Sequence, residues 1–477
     1  MLLAAVVMVL SLCSYFTLAS RLGYTPHLTL ALLAVLPILC YKHLSALKMS
    51  MSSFRMATFF KWHGPRAFLL LREELSKGDE TFPIGKYNLV VFNLNIIKHC
   101  LVLKASNYDK GGRAARLMGD VVGPRGILGA LDEDDHVPSH QVLNPHTKQA
   151  ERIQAFEDLV LEETDNKVRE WAELVAAYGG KATEVDLYLD LNEIFFKVLY
   201  KFAFGIELSK EKFRHVHHLV SQLERYSAVV GFVPAKLLPL YKLYRSDVVG
   251  LVKGLNKVVE DIIEEGGAGS PLAELQEIAA GVDTVQLRDT VKNLLFAGAT
   301  TAANALGWAV HLVTREAKWG ERAAEAARGQ DLTFFKNVCL ETNRMYPQAN
   351  VITRRAKSDD HVEGFGPIPK GRVLVVPIIA LHYHPVYYKN AQAFNPDRWA
   401  EGQKAPPLMS YIPFTAGPRQ CIGQSLFNRA GPPLLMRLYD AFSFQALQRN
   451  PTPKWPNAVL PPNAGGFRML IRPCAAA

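Results

Sequence analysis

The chain has 477 residues and a formal net charge of +9. Hydrophobic residues make up 49% of it and charged residues 21%, and it has no low-complexity tract, which excludes a disordered protein. Its six cysteines are scattered without CxxC pairs or metal-finger spacing, which indicates a reducing compartment rather than a disulfide framework. The positive charge is compatible with an anionic membrane surface or an acidic protein partner. We expect no nucleic-acid partner, because no basic stripe interleaved with aromatic residues is present.

The N-terminal segment is apolar. Residues 1–20, MLLAAVVMVLSLCSYFTLAS, carry no charged side chain and are long enough to cross roughly 30 Å of hydrocarbon as a helix. We predict an uncleaved transmembrane anchor, because no basic stretch precedes this run and no clear cleavage site follows it. Residues 21–48 hold a second apolar segment, either a tilted span or an interfacial one, and a basic flank that keeps the following chain cytosolic. We therefore expect one large folded domain at 49–477.

Beyond the anchor, the sequence pattern predicts a mostly helical domain with a small sheet. Residues 81–94 and 369–382 are typical of strands, and between about 145 and 346 the apolar residues recur at helical spacing. The stretch EEGGAGSP at 264–271 predicts an internal loop. The longest predicted helix begins near Asp283 and continues without a proline through the middle of the domain.

One cysteine lies among residues that shape the backbone. In FTAGPRQCIG, Cys421 is flanked by Gly417 and Gly423, which permit a tight turn and a close backbone approach to the sulfur. A helix starting after Cys421 would direct its positive end at a thiolate. Arg419 can pair with an anionic group, and Phe414 can shield the sulfur from water.

This stretch resembles the haem-binding signature of the cytochrome P450 family. Three further motifs resemble those of the family in its order: AGATT at 297–301, ETNR at 341–344 and FNPDRW at 394–399. The resemblance covers the chain from about residue 80 to the end. The residues in and around the motifs are most similar to those of fungal fatty-acid and alkane hydroxylases and their plant relatives. It implies the cytochrome P450 fold, mainly α with a small β region.

The resemblance also implies the cofactor and its ligands. Cys421 would bind the iron of haem b as its axial ligand, and Arg419 and Arg354 would hold the haem carboxylates. The Trp-x-x-x-Arg of the family falls at His136 and His140 here, and His140 can still donate a hydrogen bond to a carboxylate.

The AGATT motif resembles the oxygen-binding helix of the family. The Thr301 hydroxyl can bond to the Ala297 carbonyl and, with Gly298, loosen one helical turn to make room for dioxygen. Close packing of small residues is the alternative explanation. The family usually carries an acid where this chain has Thr300, so proton delivery is expected to depend on water and hydroxyl groups. The residues expected to line the substrate pocket are Leu294, Val351 and Ile352.

Two further features concern support for the cysteine loop. Glu341 and Arg344 lie three positions apart on one helix face and can pair, and the resemblance implies that Arg398 joins them in a buried network.

Pro432 and Pro433 fall within the helix expected after Cys421 and predict a kink or an end there.

The resemblance implies a haem-thiolate monooxygenase of the endoplasmic reticulum membrane with a cytosolic catalytic domain. An NADPH-dependent flavoprotein reductase would supply the electrons, and membrane lipid and a lipophilic small molecule would be further partners. A polyketide or terpenoid of a fungal secondary pathway is the preferred substrate class, with a fatty acid or alkane as the alternative. A reductase-independent isomerase or dehydratase, and a catalytically impaired haem-binding protein, remain open.

Overall fold

The computed structural model describes residues 80–84, 87–111, 119, 121–130, 133–230, 238–279, 284–448 and 466–474. All of them belong to one compact unit, residues 59–477. The predicted anchor at 1–20 and the second apolar segment at 21–48 lie outside the described residues.

Helices make up most of the described chain. Their bounds are α1 Leu94–Lys98, α2 Glu133–His146, α3 Ala150–Ala177, α4 Leu187–Leu199, α5 Lys210–Val230, α6 Leu238–Tyr244, α7 Asp247–Glu265, α8 Pro271–Ala279, α9 Thr284–Gly298, α10 Thr300–Thr314, α11 Ala317–Arg328, α12 Leu332–Met345, α13 Ile378–His382 and α14 Gln424–Ala441. Among these described helices, none has both the length and the apolar character required to cross a bilayer. The predicted loop at 264–271 separates α7 from α8.

Strands form small sheets in the described part of the chain. Their bounds are β1 Thr81–Ile84, β2 Asn88–Val91, β3 Tyr108–Asp109, β4 Thr183–Asp186, β5 Ile352–Ala356, β6 Asp360–Val362, β7 Gly366–Ile368, β8 Val373–Val376, β9 Phe442–Ala446 and β10 Arg468–Pro473. The largest sheet has the order β1-β2-β8-β5-β3, with β2 and β8 parallel and the other pairs antiparallel. The strands predicted near 81–94 and 369–382 are thus neighbours, although the second of these stretches ends in α13. The prediction of a mainly helical protein with a small β region is confirmed.

The helices pack through stripes that are visible in the sequence. In α3, Phe156, Val160, Trp171 and Val175 are buried and lie on one face, since their spacing follows the helical repeat. Lys167 lies on the same buried face, and its Nζ is 2.7 Å from Glu193 Oε2 of α4. The ion pair compensates the charge of the buried Lys167 ammonium group, which burial alone would disfavour.

The core helix is interrupted. The sequence predicts one continuous helix from near Asp283, but the structure has two, α9 and α10, with Ala299 between them at φ −106° and ψ −57°. The Thr301 hydroxyl donates to the Ala297 carbonyl at 2.7 Å, as the motif predicts. The break therefore occurs where Gly298 weakens the helix and a side chain competes for a backbone carbonyl.

The helix after the cysteine loop continues through its prolines, so of the two predicted outcomes, a kink or an end, the end is wrong. Helix α14 contains Pro432 and Pro433, and both are buried in its packed face. The carbonyls that lose their N–H partners belong to Asn428 and Arg429, which are exposed and accessible to water. Solvation of these carbonyls and burial of the proline rings allow the helix to continue.

Gly307 provides a test of the packing around α10. A Cβ atom there would lie 2.3 Å from the Cδ2 and Cε2 atoms of Phe467, a residue that is 2% exposed. Phe467 also packs edge-on against Trp308, with ring centroids 5.0 Å apart. We expect Gly307→Ala to lower the free energy of unfolding by about 1–3 kcal/mol through overpacking, as measured by urea denaturation.

The matched control is Gly320→Ala in α11, where an added Cβ would have no atom within 4 Å. This variant gains helix propensity of about 1 kcal/mol without a clash, so its free energy of unfolding should rise. Equal stabilisation by both substitutions would contradict the packing described for Gly307.

Candidate functional site

A row of accessible residues runs along one face of the core helices. It consists of Leu294, Ala297, Gly298, Thr301 and Ala302, whose spacing is that of a single helix face. The residues between them, among them Leu295, Phe296, Ala299 and Thr300, are buried. Every other residue from Asp289 to Val313 is buried, so we take this accessible face to line a cleft.

Gly298 also has a packing role. An added Cβ would lie 2.9 Å from Leu199 Cδ1, so the absence of a side chain lets α9 approach α4 closely. The two explanations of the AGATT motif therefore coexist: small residues allow the helices to pack, and the same residues keep one face of the turn open.

Cys421 is the exposed member of the free cysteines in the described chain. Burial by the surrounding protein nevertheless raises the pKa of its thiol, while the backbone N–H groups of Gly423 and Gln424 and the charge of Lys148 lower it. An accessible sulfur that is still desolvated lies in a recess rather than on the outer surface. The N–H groups come from the start of α14, where the helix dipole also favours a negative sulfur.

The turn before Cys421 requires a glycine at one of the two predicted positions. Gly417 has φ +78°, and a Cβ there would lie 1.8 Å from the carbonyl oxygen of Leu101. The Cys421 N–H donates to the Phe414 carbonyl at 3.0 Å and closes the turn. Gly423 is different, since its φ of −76° suits any residue. The backbone conformation at position 423 therefore does not require a glycine, and a Cβ there would lie 3.9 Å from the Cys421 sulfur, an ordinary contact distance.

Three cations lie close together in a desolvated region. Burial lowers the pKa of Lys110 to about 7, with further lowering by Arg419 and Arg354. Burial likewise lowers the pKa of Arg354 to about 10, and Arg419 again contributes to the lowering. The Arg419 Nη1 donates to the Ala130 carbonyl at 2.9 Å, and the Lys110 Nζ donates to the Leu128 carbonyl at 2.7 Å. Mutually repelling, partly desolvated cations are suited to an anionic group.

Lys110 was not among the residues predicted from the sequence. It follows β3 in the stretch NYDKGG, where a single lysine has no distinctive pattern. Only the fold brings it to within electrostatic range of Arg354, which is far from it in sequence.

The Glu341 carboxylate organises a buried network. Glu341 and Arg344 are both fully buried, and the Arg344 Nε and Nη2 donate to the two carboxylate oxygens at 2.9 and 2.8 Å. Arg398 Nε lies 3.4 Å from Oε1, and the Trp399 Nε1 donates to Oε2 at 2.9 Å. The Asn395 backbone N–H donates to Oε1 at 3.1 Å. The three charged residues predicted to act together are thus in contact, and each oxygen of the buried carboxylate accepts from at least two donors.

His382 connects this network to the cysteine loop. The Ile412 N–H donates to His382 Nε2 at 3.0 Å, so Nδ1 carries the proton and donates to the Arg344 carbonyl at 3.1 Å. Burial and the charge of Arg344 lower the pKa of His382 to about 3, which keeps the ring neutral. Ile412 lies two residues before Phe414 in the chain leading to Cys421. His382 was not predicted from the sequence, because its two partners are not near it in the chain.

The remaining predicted residues lie as follows. His140 is partly buried, and burial and the charge of Lys148 lower its pKa. The side chain of His136 lies outside the described residues. Val351 and Ile352 are partly accessible, and Ile352 is the first residue of β5, the strand that also carries Arg354.

The chain is similar to known proteins over most of its length. The family model for cytochrome P450 matches residues 71–468. A cytokinin hydroxylase of Arabidopsis thaliana is 28% identical over 355 residues, covering 67% of this chain and 67% of the relative. Cytochrome P450 714C2 of Oryza sativa subsp. japonica is 27% identical over 420 residues, 81% of this chain and 76% of the relative. Cytochrome P450 734A1 of Arabidopsis thaliana is 26% identical over 420 residues, 81% and 75% of the two chains. The chain belongs to the cytochrome P450 family and is a cytochrome P450 monooxygenase.

Proposed function

We propose that this monooxygenase inserts one oxygen atom from O2 into a lipophilic specialised metabolite, a polyketide or terpenoid, at the cleft beside α9 and α10. The observation that carries the proposal is the accessible face formed by Leu294, Ala297, Gly298, Thr301 and Ala302, which is almost entirely apolar. Small side chains leave room for a bulky substrate, and the Thr301 hydroxyl places one polar group among them. A relative that is a cytokinin hydroxylase supports hydroxylation as the reaction.

The family implies a haem bound through a cysteine thiolate and a reductase that supplies electrons. The residues of this chain fit such a group. Cys421 is an accessible sulfur with N–H groups directed at it, and Lys110, Arg354 and Arg419 form a cation cluster suited to two carboxylates. When bound, the haem supplies the oxygen-activating chemistry. The protein would stabilise the negative charge of the Cys421 sulfur, pair the haem carboxylates with the cation cluster and exclude bulk water.

The finer identities of cofactor and partner belong to the same proposal. We take the cofactor to be haem b and the electron donor to be an NADPH-dependent flavoprotein reductase. The net charge of +9 supports a basic surface that meets an acidic partner.

The membrane setting is also part of the proposal. The uncharged residues 1–20 and the basic flank after residue 42 support an anchor in the endoplasmic reticulum membrane with the catalytic domain in the cytosol. A lipophilic substrate can then reach the enzyme from the bilayer.

Lys110 should contribute to haem retention. Its pKa of about 7 means that it loses its charge as pH rises through neutrality, whereas a bound carboxylate favours the charged form. At equilibrium, a larger share of the haem should therefore pass to an acceptor apoprotein as pH rises above about 7. Lys110→Met should lose haem about ten- to a hundredfold faster at pH 6, the equivalent of one charge-assisted hydrogen bond, and should show a flatter pH profile.

The control for this measurement is Lys104→Met, which removes the same positive charge from an exposed lysine a short distance earlier in the chain. It should lose haem at the wild-type rate. Unchanged haem retention in Lys110→Met would contradict the assignment of Lys110 to the carboxylate site.

The substrate class is tested by turnover with a flavoprotein reductase, NADPH and O2. Terpenoids and polyketides are compared with fatty acids and alkanes, and products are analysed for the gain of one oxygen atom. Leu294→Phe narrows the cleft and should reduce turnover of the bulkiest substrates most, while Leu408→Phe, at a residue that is 68% exposed, should leave the preferences unchanged. Faster turnover of fatty acids or alkanes than of any terpenoid or polyketide would contradict the proposal.

A further inference from the structure

A carboxylate from another helix reaches the break in the core helix. Thr300 is fully buried, and its hydroxyl lies 2.7 Å from Glu224 Oε1 of α5 and 3.1 Å from the Phe296 carbonyl. One hydroxyl proton serves only one acceptor at a time. Thr300 therefore donates to Glu224 when the carboxyl is ionised. When the carboxyl is protonated it can donate to the Thr300 oxygen, and the Thr300 proton then goes to the Phe296 carbonyl.

The Glu224 carboxyl contacts a stretch of the core helices that has no acidic residue of its own. The sequence has no acidic residue between Asp289 and Glu316, so α9 and α10 carry none around the break. Thr300 directly precedes Thr301, whose side chain belongs to the accessible face. Glu224 thus supplies from α5 a titratable group that the core helices lack at this point.

The surroundings set the titration of Glu224 near neutrality. Burial raises its pKa to about 7, while the Thr300 hydrogen bond and the charge of Arg225, the next residue on α5, lower it. From α4, Tyr188 faces the same region, since Glu224 raises the pKa of its phenol. Glu224 as a whole residue is only partly buried, so water can approach it. Both protonation states are populated at physiological pH, as general acid catalysis requires.

We propose that Glu224 is the proton donor of the oxygen site, positioned by the Thr300 hydroxyl. A proton leaves the Glu224 carboxyl for a water molecule that carries it into the cleft. The carboxylate that remains accepts the hydrogen bond of Thr300, which has turned away from the Phe296 carbonyl. Solvent then returns one proton to the carboxylate, so each passage through this relay delivers one solvent proton, and two passages supply the two protons that one monooxygenation consumes. This inference rests on the monooxygenase reaction and is independent of the substrate class.

The first test observes the carboxyl directly in the full-length, haem-loaded protein. The infrared band of a protonated carboxylic acid should titrate near pH 7 in the wild type and should be missing in Glu224→Gln. In Thr300→Val the midpoint should move to higher pH, because the hydrogen bond that lowers the pKa is lost. A spectrum with no acid band titrating between pH 6 and pH 8 would overturn the proposal.

The second test measures product formed per NADPH consumed, at equal haem content. In the wild type this ratio should fall as pH rises through about 7. In Glu224→Gln, product formation should drop about a hundredfold, the lower range for acid–base catalysis, and should lose its pH dependence. The matched control is Glu211→Gln, an exposed glutamate of the same helix, which should behave as the wild type does.

A rescue separates proton delivery from a structural role. Thr300→Asp in the Glu224→Gln background places a carboxyl on the core helix itself. Product formation by this double variant should be at least tenfold higher than that of Glu224→Gln. Wild-type coupling and an unchanged pH profile in Glu224→Gln would mean that the residue only packs against α10, and would overturn the proposal.

Discussion

The constraint on which the site depends is the need to hold a negative sulfur in a desolvated recess. Burial alone raises the pKa of the Cys421 thiol and favours its neutral form. The backbone N–H groups at the start of α14 and the charge of Lys148 act in the opposite direction, and a metal cation bound to the sulfur would complete the change. Gly417 allows the turn that brings these groups together, since any side chain there would collide with Leu101.

This turn is held by a network on the far side of the loop. Glu341 is fully buried, and its neutralisation by Arg344 is necessary because an unpaired buried charge costs about 3–5 kcal/mol. The Arg344 backbone carbonyl accepts from His382, which in turn accepts from Ile412, close to Phe414. The ion pair therefore serves to fix the backbone that carries the ligand, and a neutral histidine transmits its position.

The sequence predicts what depends on neighbouring residues and misses what depends on distant ones. The cysteine motif and the Glu341–Arg344 pair are local and were recognised, as was the bond from Thr301 to Ala297. The two partners of His382 are 30 and 38 positions away and the partner of Glu224 is 76 positions away, and no pattern within one helix reveals them. The predicted continuous core helix is wrong although the Thr301 bond at the break is local, because the sequence alone does not show whether one competing hydroxyl interrupts a helix. A helix end at Pro432 and Pro433, one of the two predicted outcomes, is wrong because burial of the proline rings depends on packing.

The most direct measurement of the central claim is the absorption spectrum of the reduced, carbon-monoxide-bound protein. We expect the red-shifted Soret band of a thiolate-ligated haem in the wild type and its loss in Cys421→Ser. Cys474→Ser, at a partly buried cysteine remote in sequence from the turn, should retain the band. Absence of the band in the wild type, or its survival in Cys421→Ser, would contradict the assignment of Cys421 as the ligand.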